Sequence, residues 1–208
     1  MKNPANKPLS LGVLVSGGGT NLQAILDAVD KRELNAAVKV VISDNPQAYA
    51  LERAKKCGVP VRVVVRKNFP DKKSFEEEIL KHLREQGVEW VALAGFMRLL
   101  SPHFLQAYPH RVLNIHPAIL PSFPGMEGVK QAYDYGVKVT GCTVHLVDEG
   151  CDTGPIIAQR IVKIEDDDTL ESLLEKVHGE EHRLYPQVLQ WIAEGRLTIK
   201  GRKVLIKF

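Results

Sequence analysis

The sequence predicts an α/β protein in three layers: a mostly parallel, twisted sheet with helices on both faces and an antiparallel extension in the C-terminal half. Three observations predict it. Short β-branched runs alternate with segments whose apolar residues recur at helical spacing through the first half of the chain. Glycines close several of the helical segments, which separates the chain into strand–helix units. Beyond residue 115 the alternation gives way to two long strand-like runs joined by a turn-rich segment, the pattern of an antiparallel pair.

The elements follow in order. Leu11 to Val15 reads as the first strand, and Leu22, Ile25, Leu26 and Val29 form the inner stripe of the first helix. Val38 to Ile42 is the second strand, followed by a helix from Gln47 to Cys57 that stops at Gly58. Val61 to Val65 is the third strand. The next helix carries Phe75, Ile79 and Leu83 on its inner face and stops at Gly87. Val91 to Ala94 and Val112 to Ile115 add two more strands. Strands separated by helices of this length pair in parallel through right-handed crossovers, and ligands of such sheets collect beyond the carboxyl ends of the strands.

In the second half, residues 116–126 hold three prolines and Gly125 and read as a rigid loop. A short helix from Gly128 to Tyr135 leads to a strand from Val139 to Val147, a turn-rich loop from Gly150 to Pro155, and a strand from Ile156 to Lys163. The last long helix, Thr169 to Glu194, buries Leu170, Leu173, Leu174, Val177, Leu184, Val188 and Ile192; Pro186 is expected to bend or split it. Glu181 falls on that apolar stripe, either as a helix-edge carboxylate that reaches water or as one aimed into a site. The basic tail, Lys200 to Lys207, reads as a final strand or a frayed end. With no repeat or linker, residues 1–208 read as one domain, with halves of about 10–115 and 116–208.

Composition narrows the function classes. The 208 residues are 44 % hydrophobic and 25 % charged, ordinary for a soluble globular chain that can bury a polar site without a disulfide or metal staple. Cys57, Cys142 and Cys151 form no C-x-x-C pair and suit a reducing compartment. A net charge of +3, spread along the chain, fits small anionic ligands better than nucleic acid. The opening MKNPANKPLS has no apolar stretch, and the run from Trp90 to Leu100 contains Arg98 and is too short to cross a bilayer. A cytoplasmic protein without membrane contact is expected.

Three segments can carry chemistry. Ser16-Gly17-Gly18-Gly19-Thr20-Asn21 lies between the first strand and the first helix, where free helix N–H groups and the positive end of the helix dipole suit a phosphate. No lysine follows the glycines, which excludes a P-loop, and Leu22 stands where a dinucleotide fingerprint needs glycine, so a phosphate monoester is the better fit. Asn114-Ile115-His116-Pro117 ends a strand, and residues two apart on a strand share a face. Asn114 and His116 therefore meet one cavity, an amide to stabilise an oxyanion beside an imidazole to manage a proton. Asp152, in a turn before Gly154 and Pro155, would favour the imidazolium of His116 and fix its orientation if the two meet. Cys142 and His145 are three apart on one strand and point to opposite faces, which argues against zinc, and no G-x-S-x-G elbow is present.

Taken in order, Ser-Gly-Gly-Gly-Thr-Asn (16–21), Ala-Gly-Phe-Met-Arg (94–98), Asn-Ile-His-Pro (114–117), Leu-Pro-Ser-Phe-Pro-Gly (120–125) and Asp-Thr-Gly-Pro (152–155) resemble the phosphoribosylglycinamide formyltransferase family over nearly the whole chain. The resemblance implies the formyltransferase fold, with a Rossmann-like N-terminal half. It implies that Gly19, Thr20, Asn21 and Glu181 bind the ribonucleotide and that Met97, Arg98, Leu99, Leu100 and Asn114 line the folate site. Asn114, His116 and Asp152 match the family's catalytic trio. Lys72 falls where a relative has an arginine near the folate, and lysine cannot make the same bidentate contact. The implied co-substrate is 10-formyltetrahydrofolate, with no metal, in purine biosynthesis. The implied partners are small molecules, with neither nucleic acid nor membrane, and a monomer or homodimer is expected.

Two sister activities share the trio. A methionyl-tRNA formyltransferase would need a further RNA-binding domain after Asp152. A formyltetrahydrofolate deformylase would need an added N-terminal regulatory domain and would have no use for the phosphate loop. A non-catalytic binder would be expected to lack one of the trio.

Overall fold

A computed structural model describes residues 7–207; most of the opening MKNPANKPLS, in which no apolar stretch was found, lies outside the described residues. The chain opens with β1 (Leu9–Val15), buried at every position, as a strand covered on both faces must be. It continues through α1 (Thr20–Asp30), β2 (Ala36–Ser43), α2 (Tyr49–Lys56), β3 (Val61–Val63), a 3-10 turn at Arg66–Asn68, and α3 (Lys72–Glu85). Then come β4 (Trp90–Leu93), α4 (Pro102–Ala107), β5 (Val112–His116), α5 (Gly128–Tyr135), β6 (Val139–Leu146), β7 (Ile156–Lys163), α6 (Leu170–Ala193), β8 (Leu197–Lys200) and β9 (Lys203–Ile206).

Seven strands form one sheet in the order β3-β2-β1-β4-β5-β6-β7. The first five pair in parallel, and β6 and β7 are antiparallel additions beyond β5. Two apolar cores flank the sheet. Leu11, Val13 and Val15 of β1 join α1, α2 and α6 on one face, whereas Leu14 joins Phe75, Ile79 and Leu83 of α3 and Phe104 of α4 on the other. This is the three-layer arrangement that the alternating pattern predicts.

The strand order reverses at β1, whose neighbours are β2 and β4. The connections that leave the carboxyl ends of β1 and β4 therefore run to opposite faces of the sheet and leave a crevice between them, the usual ligand position in such sheets. The Ser16–Gly19 loop and the segment 94–100 leave the sheet there, and the end of β5 lies one strand further along.

Several details differ from the sequence expectations. The third strand ends at Val63, because the chain turns into the 3-10 segment instead of continuing to Val65. The short helix α4 was not expected. Its signal is local: Ser101 Oγ accepts from the Phe104 N–H, and Pro102 occupies the first turn. The last helix is continuous through Pro186; buried packing of Pro186 among Leu184, Tyr185 and Val188 outweighs one lost backbone hydrogen bond. The basic tail carries the final strand, β9, which pairs with β8 in a hairpin outside the main sheet; it is not a frayed end.

Candidate active site

The loop after β1 is tied to its neighbours before any ligand is considered. The Ser16 N–H donates to the Gly95 carbonyl at 3.0 Å. Ser16 Oγ donates to Asp44 Oδ1 at 2.6 Å and accepts from the Met97 N–H at 3.0 Å. Arg98 Nε donates to the other oxygen of Asp44 at 2.5 Å. Ser16, Asp44 and Arg98 thus lock together the ends of β1, β2 and β4, on either side of the crevice.

Gly19 precedes α1 with φ 74 and ψ 32, and no side chain caps the helix. The N–H groups of its first turn are left open to an anion. A methyl group at Gly19 would lie 2.5 Å from Ala50 Cβ, so the loop owes its path to the close approach of α2 as well as to its left-handed backbone. Arg53 of α2 steadies the loop by donating to the Gly18 carbonyl at 2.9 Å.

Glu181 reaches this loop from α6. Asn21 Nδ2 donates to Glu181 Oε2 at 3.2 Å, joining two of the residues that the resemblance assigns to the ribonucleotide. Glu181 is 3 % exposed, so it does not reach water as one reading of its helix position allowed. Among the described residues, Asn21 Oδ1 and His182 Nε2 are buried with no hydrogen-bond partner. Buried polar atoms of this kind are ones a ligand would satisfy. His182, beside Glu181 on the same helix turn, escaped the sequence reading; burial lowers its pKa, as do the charges of His178 and Arg53 against a weaker opposing pull from Asp27.

Burial pushes the Glu181 carboxyl up from its ordinary 4.5 to about 7, against the opposing Asn21 hydrogen bond. A raised pKa means that the folded protein holds this proton more tightly than the unfolded chain does. Its stabilising effect is full below the ordinary carboxylate value and fades as pH rises through about 7. Glu181→Gln should remove that slope, a relative gain of roughly 3 kcal/mol at pH 8. Urea unfolding of both proteins from pH 5 to 8 checks it; parallel pH dependences would refute the burial argument.

The second cluster forms where β5 meets β6. Asn114 and His116 sit two apart on β5 and share a face, as their spacing predicts, and both meet Asp152. Asn114 Nδ2 lies 3.3 Å from Asp152 Oδ1 and 3.3 Å from His145 Nε2. His116 Nδ1 is 3.3 Å from Asp152 Oδ2, and its Nε2 faces the Phe123 carbonyl at 2.8 Å. Asp152 has a left-handed backbone, φ 55, and Oδ2 also accepts from the Gly125 N–H at 2.8 Å. The two proline-rich and turn-rich loops therefore meet at this carboxylate.

Burial acts to raise the Asp152 pKa, but hydrogen bonds from His145 and the Gly125 N–H, with the charges of His116 and His145, bring it down to about 2. Asp152 is an anion at any working pH. His116 departs from expectation. Asp152 and the Phe123 carbonyl pull its pKa upward, but burial is the larger effect and holds it below the ordinary 6.5, with His145 adding to the depression. A carboxylate neighbour was legible in the sequence; a ring only 3 % exposed was not.

His145 was missed as a member of this cluster. It pairs with Asn114 across β5 and β6, is buried, donates from Nδ1 to the Leu146 carbonyl at 2.9 Å and lies 3.5 Å from Asp152 Oδ1. Cys142 belongs to the apolar core instead, consistent with its opposite orientation. Among the described residues no group of three or more His, Cys, Asp or Glu is arranged to hold a metal ion.

The residues assigned to the folate are less closely grouped. Met97 and Leu99 are 68 % and 57 % exposed, whereas the Leu100 side chain is in the second core and does not line open space. Arg98 pairs with Asp44 and lies over the Phe75 ring. Lys72 begins α3, 3.9 Å from the buried Glu76, and makes no contact with the Asp152 cluster. A cavity of about 790 Å³ is lined by Thr20, Arg53, His182 and Trp191 among others and by none of Asn114, His116 or Asp152. It abuts the glycine loop before α1 and does not extend to the Asp152 cluster.

Comparison with known proteins shows what the chain is similar to. The Formyl transferase family matches residues 10–189. The phosphoribosylglycinamide formyltransferase of Bacillus subtilis (strain 168) is 44 % identical over 86 % of this chain and 91 % of its own length. The trifunctional purine biosynthetic protein adenosine-3 of Drosophila pseudoobscura pseudoobscura is 43 % identical over 90 % of this chain, which spans only 14 % of that protein. The crystal structure of glycinamide ribonucleotide transformylase 1 from Symbiobacterium toebii superposes with a TM-score of 0.94 and 47 % identity, covering 97 % of this chain and 95 % of that one. A formyltetrahydrofolate deformylase from Pseudomonas syringae pv. tomato superposes at 0.91 with 26 % identity, covering 98 % of this chain and 67 % of that one. With the family matched across both clusters and the fold shared from end to end, the chain belongs to the formyl transferase family and, within it, to the phosphoribosylglycinamide formyltransferases.

Proposed function

We propose that the protein transfers the formyl group of 10-formyltetrahydrofolate to the amine of 5′-phosphoribosylglycinamide, giving the N-formyl ribonucleotide and tetrahydrofolate for purine (IMP) synthesis. The observation that carries this reading is the Asn114–His116–Asp152 cluster, at the same sheet edge as an open helix N-terminus with a buried carboxylate beside it. Residues 10–115 would supply the ribonucleotide site, and residues 116–208 would complete the catalytic site of one domain. Gly19, Thr20 and Asn21 hold the phosphate, and Glu181, bonded to Asn21, contacts the same ribonucleotide. Met97, Arg98 and Leu99 offer exposed surface to the folate, Leu100 contributes through its backbone, and Lys72 offers an ammonium to its anionic end.

Three side chains divide the chemistry. The attacking amine forms a bond to the formyl carbon, and Asn114 turns an N–H toward the oxyanion that develops; its present contacts with Asp152 and His145 are long enough, at 3.3 Å, to give way. His116 takes up the proton that the amine sheds, because burial keeps the ring available as a base. Asp152 stabilises the imidazolium so formed, and His116 then acts as the general acid that returns the proton to N10 as its bond to carbon breaks. No step needs a covalent enzyme intermediate.

Hydrolysis of the same folate is the second reading, supported by the deformylase likeness. Mixing the protein with 10-formyltetrahydrofolate, with and without the ribonucleotide, separates them. Tetrahydrofolate release that requires the ribonucleotide is expected; release at the same rate without it would replace transfer by hydrolysis.

A further inference from the structure

The C-terminal hairpin reaches back to the loop that carries Asp152. β8 and β9 pair from Leu197 with Ile206 to Lys200 with Lys203, which leaves Gly201 and Arg202 as a two-residue turn. Gly201 has φ 58 and Arg202 has no positive φ, the arrangement of a type II′ turn with glycine first. Leu197, Ile199, Val204 and Ile206 pack against the first core, and the Lys207 N–H closes the base of the hairpin on the Arg196 carbonyl at 3.0 Å. The turn is therefore held at a defined place. From it, Arg202 Nη2 donates to the carbonyl of Thr153, the residue after Asp152, at 2.8 Å. Among the described residues Arg202 has no carboxylate partner that would hold it elsewhere. The family match ends at residue 189, short of the hairpin.

The Asp152 loop needs outside support. A left-handed backbone at a residue with a side chain persists only where its surroundings over-determine it. Inside the loop, Asp148 Oδ1 accepts from the Gly150 N–H at 3.1 Å and from Thr153 Oγ1 at 2.6 Å. These bonds close the loop on itself but do not anchor it to the rest of the protein. The Gly125 N–H holds the Asp152 side chain, and the Arg202 guanidinium holds the backbone that follows it.

We propose that Arg202 is a positioning residue: it latches the Thr153 carbonyl and so keeps Asp152 within reach of Asn114 and His116. This rests on the reading of Asp152 as part of the catalytic cluster. A guanidinium on a neutral carbonyl makes a charge-assisted bond, and its loss lets the loop sample positions in which Asp152 is displaced.

The test uses the full chain as Arg202→Ala, Arg202→Lys and Asp152→Asn. Amide hydrogen exchange is followed by mass spectrometry in peptides spanning 148–155 and 116–126, alongside kcat, both KM values and the thermal midpoint. Arg202→Ala should speed exchange in 148–155 severalfold and leave 116–126 nearly unchanged. Its kcat should fall about three- to tenfold, with KM for the ribonucleotide within about twofold of the parent. Arg202→Lys, which can still donate, should recover part of both. Unchanged exchange in 148–155 overturns the latch whatever the catalytic reading. Faster exchange with unchanged kcat, while Asp152→Asn is inactive, overturns the positioning role. Faster exchange across the whole chain with a lower midpoint shows general destabilisation and overturns it too. If Asp152→Asn itself keeps full turnover, the cluster reading fails and the positioning role falls with it.

Discussion

Asp152→Asn should lower turnover by roughly 10²–10⁴-fold, the range for losing a positioned proton-transfer partner. The substitution keeps the size of the side chain and an oxygen for the Gly125 N–H, but it removes the charge. That charge opposes burial at His116, so the ring would fall further below its ordinary value and lose the partner that steadies its imidazolium. His116→Ala should lose a similar factor, and the double variant should lose little more, because residues that act as a unit are not additive. The folded protein also pays for the change. Asp152 is depressed from 3.8 to about 2, so it stabilises the fold above the ordinary carboxylate range, and that contribution fades as pH falls through about 2. Replacing it should cost roughly 2 kcal/mol at pH 7 and only about 0.4 kcal/mol at pH 2. Steady-state turnover and chemical unfolding at the two pH values check both parts; turnover within threefold of the parent would remove Asp152 from the mechanism.

Gly154→Ala should be nearly as damaging, although residue 154 touches no substrate in this account. A Cβ there would stand 1.7 Å from the Leu146 carbonyl oxygen and 2.8 Å from its carbon, and backbone atoms cannot rotate away. The Leu146 N–H is already paired with the Pro155 carbonyl at 2.9 Å, so the loop can relieve the clash only by lifting off β6. Asp152 would move with it. A displacement of about 1 Å in a catalytic group costs on the order of 10²-fold in rate, and overpacking costs about 1–3 kcal/mol in stability. Gly150→Ala is the contrast. Its Cβ would meet first the Thr153 side chain, at 2.0 Å from Oγ1, which can turn aside, so a smaller loss is expected. Equal losses in the two variants, read as kcat, would show that the loop is not located by its contact with β6.

How much of this was legible depended on the range of the interaction. The strand–helix alternation is written in local periodicity, and so are the glycine loop before α1 and the shared face of Asn114 and His116. The helix α4 was also local and was passed over, because its Ser101-Pro102 start lies just beyond an apolar run read only as a strand and its flank. His145 could not be placed from the sequence. Its position opposite Asn114 depends on the β5–β6 register, and β6 has an irregularity against β7 between Val144 and His145. The net direction at His116 was hidden for a related reason: the sequence names the carboxylate but not the degree of burial that outweighs it. Pro186 was read by its local cost alone, which tertiary packing overrides. The partnerless nitrogen of His182 and the reach of Arg202 to Thr153 exist only once α6 and the hairpin have docked.

In the proposed reaction this cluster transfers a formyl group directly to the ribonucleotide amine. That transfer is tested most directly with 10-formyltetrahydrofolate carrying ¹³C in the formyl group, mixed with 5′-phosphoribosylglycinamide and either the parent protein or His116→Ala. The parent should place the label on the glycinamide nitrogen, with little in free formate, and the variant should do so at least 10²-fold more slowly. Label appearing mainly as formate, or transferred equally fast by the variant, would contradict it.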